Sequence, residues 1–284
     1  MALFGFWLLC ASIAGLTALA GTALGLTELR RRGLTLLVLL HLVVGVIWLG
    51  PMAVAMLAGF VAVIGADEVG RHYALPRALS PLVSLVLAGA VAFSDVSLVG
   101  ALAAAAVVVA ATFVAPRAWL RAPGFALLFA GVVVGGGAGA LVRLASLDID
   151  AVLGLILLLQ LNDGFGLLIG RRWGRHRPFP QISPNKSIEG YAAGALTSAV
   201  GVLLLYTAVP VLDSASWDTG VWVLASVVVV GNAGDLVFSM LKRRLDLKDF
   251  GTLLPGHGGI LDRCDNLLVT APLWAVLWLV LVVV

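Results

Sequence analysis

Charged residues are scarce in this sequence. Asp, Glu, Lys and Arg make up 12% of its 284 residues, and 61% of the residues are hydrophobic, whereas an average soluble protein has about 25% charged residues. So few charges could not solvate the surface of so apolar a chain, which excludes a single soluble domain. The apolar residues form long runs, without the short alternating segments of a transmembrane β-barrel. We therefore expect an all-α, polytopic integral membrane protein.

The sequence also lacks the cysteines of a disulfide framework and the basic surface of a nucleic-acid-binding protein. The chain has only two cysteines, Cys10 in the first apolar run and Cys264 in a late polar segment, so a disulfide framework is not indicated. The net charge of +3 comes from basic residues in short loops between apolar runs. That placement is typical of membrane topology signals rather than of a surface that binds nucleic acid.

The apolar runs predict about ten transmembrane helices. The division between the second and third rests on Gly50-Pro51, because proline disfavours a continuous helix there. Gly131, Gly135 and Gly139 recur every four residues in the sixth span, which indicates either close helix packing or a bent helix. The predicted spans are 3–24, 34–50, 51–66, 79–94, 97–115, 124–142, 151–170, 189–211, 219–241 and 266–284.

The distribution of basic residues predicts the orientation of these spans. With ten spans and both termini outside, 17 of the 18 Lys and Arg residues fall on the cytoplasmic side, and Arg143 alone falls outside. The two longest polar loops, 171–188 and 242–265, then share the cytoplasmic face. We divide the chain into N-terminal transmembrane helices, residues 1–150, and a C-terminal catalytic region, residues 151–284, which carries both loops.

Two carboxylates lie inside apolar runs, Asp163 and Asp235. A charge at membrane depth is costly, so such a residue marks a functional site unless it only makes a structural hydrogen bond between helices. Ser239 and Lys242 follow Asp235 at i+4 and i+7, on the same helical face. This face leads from the bilayer into the basic loop.

The segment 234–265 interleaves acidic and basic residues around a Pro-Gly-His-Gly-Gly turn at 255–259. Carboxylates bind divalent cations, Lys and Arg neutralise phosphates, and glycine N–H groups can approach an anion closely. A solvated loop that only obeys the positive-inside rule would explain the basic residues, but not the aspartates or the turn. The acidic members are Asp235, Asp249, Asp262 and Asp265, and the basic members are Lys242, Arg243, Arg244, Lys248 and Arg263.

These motifs resemble the phosphatidate cytidylyltransferase (CDP-diacylglycerol synthase) family. Its signature appears here as Ser239, Lys242-Arg243, Lys248-Asp249, Pro255 to Gly259, Asp262-Arg263 and Asp265. Its upstream element appears as residues 183–190, where Asn185 and Ser187 depart from the usual residues and Lys186 and Glu189 are kept. Asp163 and Gly170 fit a looser element in which Gly166-Leu167 replaces Ala-Tyr. The resemblance covers about residues 160–266.

The resemblance implies that CTP and phosphatidate react to give CDP-diacylglycerol and pyrophosphate at the inner face of the cell membrane. It also implies Mg²⁺, with a second cation allowed, and suggests a homodimer. On this basis we expect Asp235 and Asp262 to hold the cation, with Asp249 and Asp265 ligating or orienting it. The expected catalytic set also contains Lys242, Lys248, Arg263 and His257, and the expected substrate-binding set is Ser183, Lys186, Glu189, Ser239, Arg243, Gly258 and Gly259.

Several alternatives stay open at this stage. His257 could donate to a phosphate or only order its turn, and Ser183 and Ser239 could bind substrate or only cap and pack. A paralogue that activates a different lipid phosphate is compatible with the Gly166-Leu167 replacement. A polytopic transporter would not need the glycine turn, and the Asp-Gly-x-x-Ala-Arg signature of CDP-alcohol phosphotransferases is absent.

Overall fold

The computed structural model describes residue 38 and residues 41–73, 75–206, 217–253 and 258–283. In these segments the chain forms a helix at 41–48 and eight further helices, with a 3₁₀ turn at Arg71–Tyr73 and a one-turn helix at Arg117–Leu120 between them. The all-α fold is confirmed. The helices are α1 (Pro51–Gly70), α2 (Leu79–Phe93), α3 (Asp95–Val114), α4 (Pro123–Leu147), α5 (Ile149–Trp173), α6 (Ile188–Tyr206), α7 (Trp217–Arg244) and α8 (Leu261–Val283).

Most of the predicted spans correspond to observed helices. Seven of the eight helices are long and apolar enough to cross a membrane, and α2 is a shorter apolar helix. The predicted span 3–24 lies outside the described residues, and of the span 34–50 the structure shows helix at 41–48. Gly50 has a φ of +97° directly before Pro51, so the chain breaks where the sequence predicts. The number ten stays a prediction.

Local signals explain where several helices begin. The Ser94 hydroxyl accepts a hydrogen bond from Ser97 N at 3.2 Å and caps α3, and Asp148 caps α5 by accepting from Asp150 N at 2.9 Å. Such caps satisfy backbone donors that the helix itself leaves unpaired. The last turn of α7 contains three cations, Lys242, Arg243 and Arg244, which suit the negative end of the helix dipole.

The basic loops meet at one end of the helix bundle, which we call the basic end. There Arg121 pairs with Asp246, and Arg244 donates to the Phe113 carbonyl at 2.7 Å. At the opposite end Arg143, the residue predicted to lie outside, pairs with Asp95 at 2.6 Å. The loop 171–188 reaches α7, the helix of Arg244, through the Lys186–Asp235 pair, so it shares the basic end with the described residues of 242–265, as the charge pattern predicts.

Glycines allow the helices at the centre of the bundle to approach one another closely. Gly131, Gly135 and Gly139 face α2, where a Cβ on Gly135 would lie 2.3 Å from the Ser84 carbonyl oxygen. The close-packing interpretation of the glycine repeat is therefore confirmed, and the same region of α4 is π-helical at Ala130–Gly135. On another face of α4, a Cβ on Gly137 would lie 2.3 Å from the Leu268 carbonyl oxygen of α8.

Two tryptophans attach α8 to the rest of the bundle. Trp274 and Trp278 are fully buried and stack with ring centroids 4.8 Å apart. Each indole N–H has a partner, since Trp274 donates to the Ser226 hydroxyl at 2.6 Å and Trp278 to Asp148 at 3.1 Å. The start of α8, which carries Asp262 and Asp265, is therefore held in a fixed position relative to α5 and α7.

We predict that Gly137→Ala destabilises the protein by about 1–3 kcal/mol, because a methyl group there forces α4 away from the backbone of α8. Gly136→Ala is the matched control, since its Cβ would meet only the Ala101 Cβ at 3.5 Å. Thermal unfolding in detergent should show a melting temperature lowered by several degrees for Gly137→Ala alone. Equal melting temperatures for the two variants would contradict the close contact.

Candidate functional site

Carboxylates from three helices face one another near the basic end. Asp163 of α5 accepts a hydrogen bond from the Asn266 side chain of α8. Asp265 is buried, and the charged groups around it are Asp235, Lys242 and Asp163. We call Asp163, Asp235 and Asp265 the acidic cluster. Asp163 therefore belongs to the site, a point that the sequence left open.

Lys186 brings a positive charge from the loop 174–187 into the acidic cluster. Its ammonium pairs with the Asp235 carboxylate and lies 5.6 Å from the centre of the Tyr191 ring. Burial alone would lower the pKa of Lys186, but the Asp235 carboxylate outweighs this effect and raises the pKa above its ordinary value. Lys186 is therefore cationic at neutral pH.

A second pair joins α7 to the start of α8. The Lys242 ammonium lies 2.7 Å from Oδ1 of Asp262, and Oδ2 of Asp262 accepts from the backbone N–H groups of Phe250 at 2.9 Å and Gly259 at 3.0 Å. The Asp262 side chain is only 3% exposed. Asp262 thus organises the loop before α8, and Lys242 lies between Asp262 and the acidic cluster.

Gly258, near the end of the glycine turn, lies against this pair. Gly258 has a φ of +83°, and a Cβ on it would lie 3.0 Å from Asp262 Oδ2 and 3.2 Å from Asp249 Oδ1. A side chain at Gly258 would therefore meet both strain and a crowded space. Pro255, Gly256 and His257 lie outside the described residues, so the role of His257 stays a prediction.

The other predicted site residues in the described part of the chain lie near the acidic cluster but are not part of it. Glu189 accepts from the backbone N–H of Arg175 at 3.1 Å and from His176 Nδ1 at 2.7 Å, so it closes the 174–187 loop. Ser183 is part of a turn in which its carbonyl accepts from Lys186 N at 3.3 Å. Ser239 is partly exposed, and the exposed members of the predicted set are Lys248, Arg243, Arg263 and Asp249.

Comparison with known proteins identifies the family. The sequence model of the cytidylyltransferase family matches residues 30–281. The chain belongs to this family. The phosphatidate cytidylyltransferase of Staphylococcus aureus strain COL is 38% identical to it over 130 residues, and those of Staphylococcus haemolyticus and Staphylococcus epidermidis are 37% and 39% identical. Each alignment covers 44% of this chain and 48% of the relative. The chain thus spans about half the length of the curated relatives that it matches.

The donor groups of this cytidylyltransferase-family site fit a divalent cation in charge and chemistry. The four carboxylates of Asp163, Asp235, Asp262 and Asp265 outnumber the two ammonium groups near them, those of Lys186 and Lys242, so a cation would be a favourable further partner. Oxygen ligands of this kind suit Mg²⁺. Among the described residues, no three acidic or histidine side chains already converge as a preformed chelate.

The geometry separates the predicted metal ligands into two groups. Asp235 and Asp265 are close enough to repel each other electrostatically, whereas both oxygens of Asp262 are used by Lys242 and the two backbone N–H groups. Asp249 is exposed near Gly258. Ligation of a cation by Asp235, Asp262, Asp249 or Asp265 stays a prediction.

Glu68 of α1 is a site residue that the sequence analysis missed. It is 2% exposed and accepts from the backbone N–H groups of Ile260 at 3.1 Å and Leu261 at 2.9 Å. A Cβ on Gly259 would lie 2.4 Å from Glu68, and one on Gly251 would lie 2.2 Å away. The sequence shows Glu68 only as an acidic residue near the end of an apolar run. The residues that it contacts in the fold lie more than 180 positions further along the chain.

We predict that Glu68→Gln loosens the loop before α8, because an amide replaces a carboxylate that accepts two backbone hydrogen bonds. Loss of charge-assisted bonds of this kind costs about 1.5–3 kcal/mol, so amide hydrogen exchange at residues 258–263 should accelerate by about tenfold or more. Asp67→Asn is the control, since Asp67 pairs only with the exposed Arg71 and such pairs contribute little. Unchanged exchange in Glu68→Gln would contradict this role.

Proposed function

We propose that this protein transfers a cytidylyl group from CTP to phosphatidate and so forms CDP-diacylglycerol and pyrophosphate. The observation that carries the proposal is the meeting of the acidic cluster with Lys186 and Lys242 at the inner ends of α5, α7 and α8. Family membership and the names of the relatives from Staphylococcus support the same reaction.

The reaction needs positioning and charge neutralisation more than a general base. The phosphate monoester of phosphatidate is largely dianionic at neutral pH, because the second pKa of a phosphate monoester is about 6. One of its oxygens attacks the α-phosphorus of CTP. A new P–O bond forms there, the bond from the α-phosphorus to the bridging oxygen breaks, and pyrophosphate leaves with that electron pair.

The two lysines supply positive charge to the phosphates. Lys186 and Lys242 are each held by an aspartate, so their ammonium groups are placed before substrate arrives and lose little freedom when it binds. The exposed cations are Arg243 at the end of α7, Lys248 in the loop that follows and Arg263 at the start of α8, and they would attract CTP from the aqueous side. Asp262 and Glu68 hold the loop between these two regions.

Magnesium is the cofactor that we propose. Asp235 and Asp265 would hold it, and Asp163 would add negative charge close by. Bound there, Mg²⁺ would neutralise the triphosphate and polarise the reacting phosphoryl group. A second cation and a homodimer stay predictions.

The location of the site suits substrates from two phases. This integral membrane protein has its basic loops at the end where the acidic cluster lies, and we propose from the positive-inside rule that this end faces the cytoplasm. Phosphatidate would arrive sideways from the inner leaflet, and CTP would arrive from the cytosol. A site at the inner ends of the helices can be reached by both.

The test is pyrophosphate release by the purified protein in lipid nanodiscs. We expect release to require CTP, phosphatidate and Mg²⁺ together, and to stop when the metal is removed by a chelator. A panel of other lipid phosphates, including ether-linked ones, decides between phosphatidate and a different lipid substrate. No turnover with any lipid phosphate would contradict the proposal.

Within this assay we predict that Asp235→Asn lowers turnover by about 100-fold or more, because it removes a charge from the cation site and frees Lys186 from its partner. Asp246→Asn is the matched control. Asp246 pairs with Arg121 at the exposed surface and has a φ of 60°, which Asn tolerates, so its activity should stay within about twofold of wild type. Similar activity in both variants would remove Asp235 from the mechanism.

A further inference from the structure

Tyr191 has a buried hydroxyl group without a hydrogen-bond partner. It lies in the first turn of α6, and its hydroxyl oxygen is shielded from solvent yet contacts no donor or acceptor among the described residues. The ammonium of Lys186 lies 5.6 Å from the centre of the ring. The charged groups around the hydroxyl are Lys186, Asp235 and Asp163, so Tyr191 borders the acidic cluster.

An unpaired phenol in this place is unfavourable for the protein alone. Buried tyrosine hydroxyls usually find a partner, and one that does not loses its hydration without compensation. Phenylalanine would fill the same space at no such cost. A tyrosine here is therefore explained better by a group that reaches the hydroxyl during function than by packing.

Tyr191 differs in this respect from the other buried hydroxyls without a partner in the described residues. Those belong to Ser80, Ser84 and Ser198, which lie within helices, where a serine hydroxyl can turn toward the carbonyl of the preceding turn. The Tyr191 hydroxyl is carried away from its own helix by the ring. Among these hydroxyls, that of Tyr191 has the charged groups of Lys186, Asp235 and Asp163 near it.

The surroundings define the chemistry of the missing partner. A phenol at neutral pH can donate one hydrogen bond. A ligand that accepts this bond would also lie near the Lys186 ammonium, which attracts negatively charged groups. We propose that the Tyr191 hydroxyl donates a hydrogen bond to a phosphoryl oxygen of the substrate bound at Lys186. This inference rests on the proposed function, and that oxygen belongs either to CTP or to the lipid phosphate.

The test compares Tyr191→Phe with wild type in nanodiscs. We expect KM for one substrate to rise by about tenfold, as for the loss of one hydrogen bond to a charged group, while the melting temperature without substrate is unchanged or higher. A higher KM for CTP, together with weaker binding of CTP measured by calorimetry in the absence of lipid phosphate, assigns the hydrogen bond to the nucleotide. A rise for phosphatidate alone assigns it to the lipid.

Tyr206→Phe is the control, since Tyr206 lies at the other end of α6, stacked on Trp217 at 5.5 Å. Its kinetic constants should equal those of wild type. Unaltered constants in Tyr191→Phe, or an activity loss that follows a lowered melting temperature, would overturn the inference and leave the proposed function standing. Wild-type protein that neither binds CTP nor releases pyrophosphate would overturn both.

Discussion

The site depends on pairing between carboxylates and ammonium groups at membrane depth. Asp163, Asp235 and Asp265 come from three different helices, and Asp265 is buried, so mutual repulsion and the lost hydration of Asp265 oppose this arrangement. Lys186 reaches in from a loop and Lys242 from the end of α7 to offset part of that cost. The charge that stays uncompensated is negative, which favours a cation, while the lysines favour a phosphate. A site with both preferences suits the metal-bound triphosphate of a nucleotide.

The rest of the fold holds these charges in place. Glycine contacts allow α4 to lie directly on the backbones of α2 and α8, and the Trp274–Trp278 stack fixes α8 from its other end. In the described residues from Phe250 to the start of α8, Asp262 and Glu68 together accept four backbone hydrogen bonds. Two buried carboxylates thus replace the hydrogen bonds that a helix or sheet would supply. Glu68 also connects α1 to a loop nearly 200 residues away, so the N-terminal half takes part in shaping the site.

The sequence predicts the periodic and local features of this protein well. Apolar runs locate the helices, Gly50-Pro51 marks a break, and the basic residues predict which loops share an end. It also identifies Asp235, Asp265, Lys186 and Lys242 as chemistry-bearing residues. It could not predict which aspartate each lysine pairs with, because these contacts join the loop before α6, or the start of α8, to α7 across 49 and 20 residues respectively. For the same reason it overlooked Glu68 and Tyr191, whose surroundings exist only in the folded chain.

The most direct measurement is an experimental structure of the protein in a lipid nanodisc with Mg²⁺ and a non-hydrolysable CTP analogue. Our account predicts density for a cation between Asp235 and Asp265, with the ammonium groups of Lys186 and Lys242 directed at the triphosphate. A nucleotide bound elsewhere would contradict it. So would a structure in which Asp163, Asp235 and Asp265 face separate gaps between the helices.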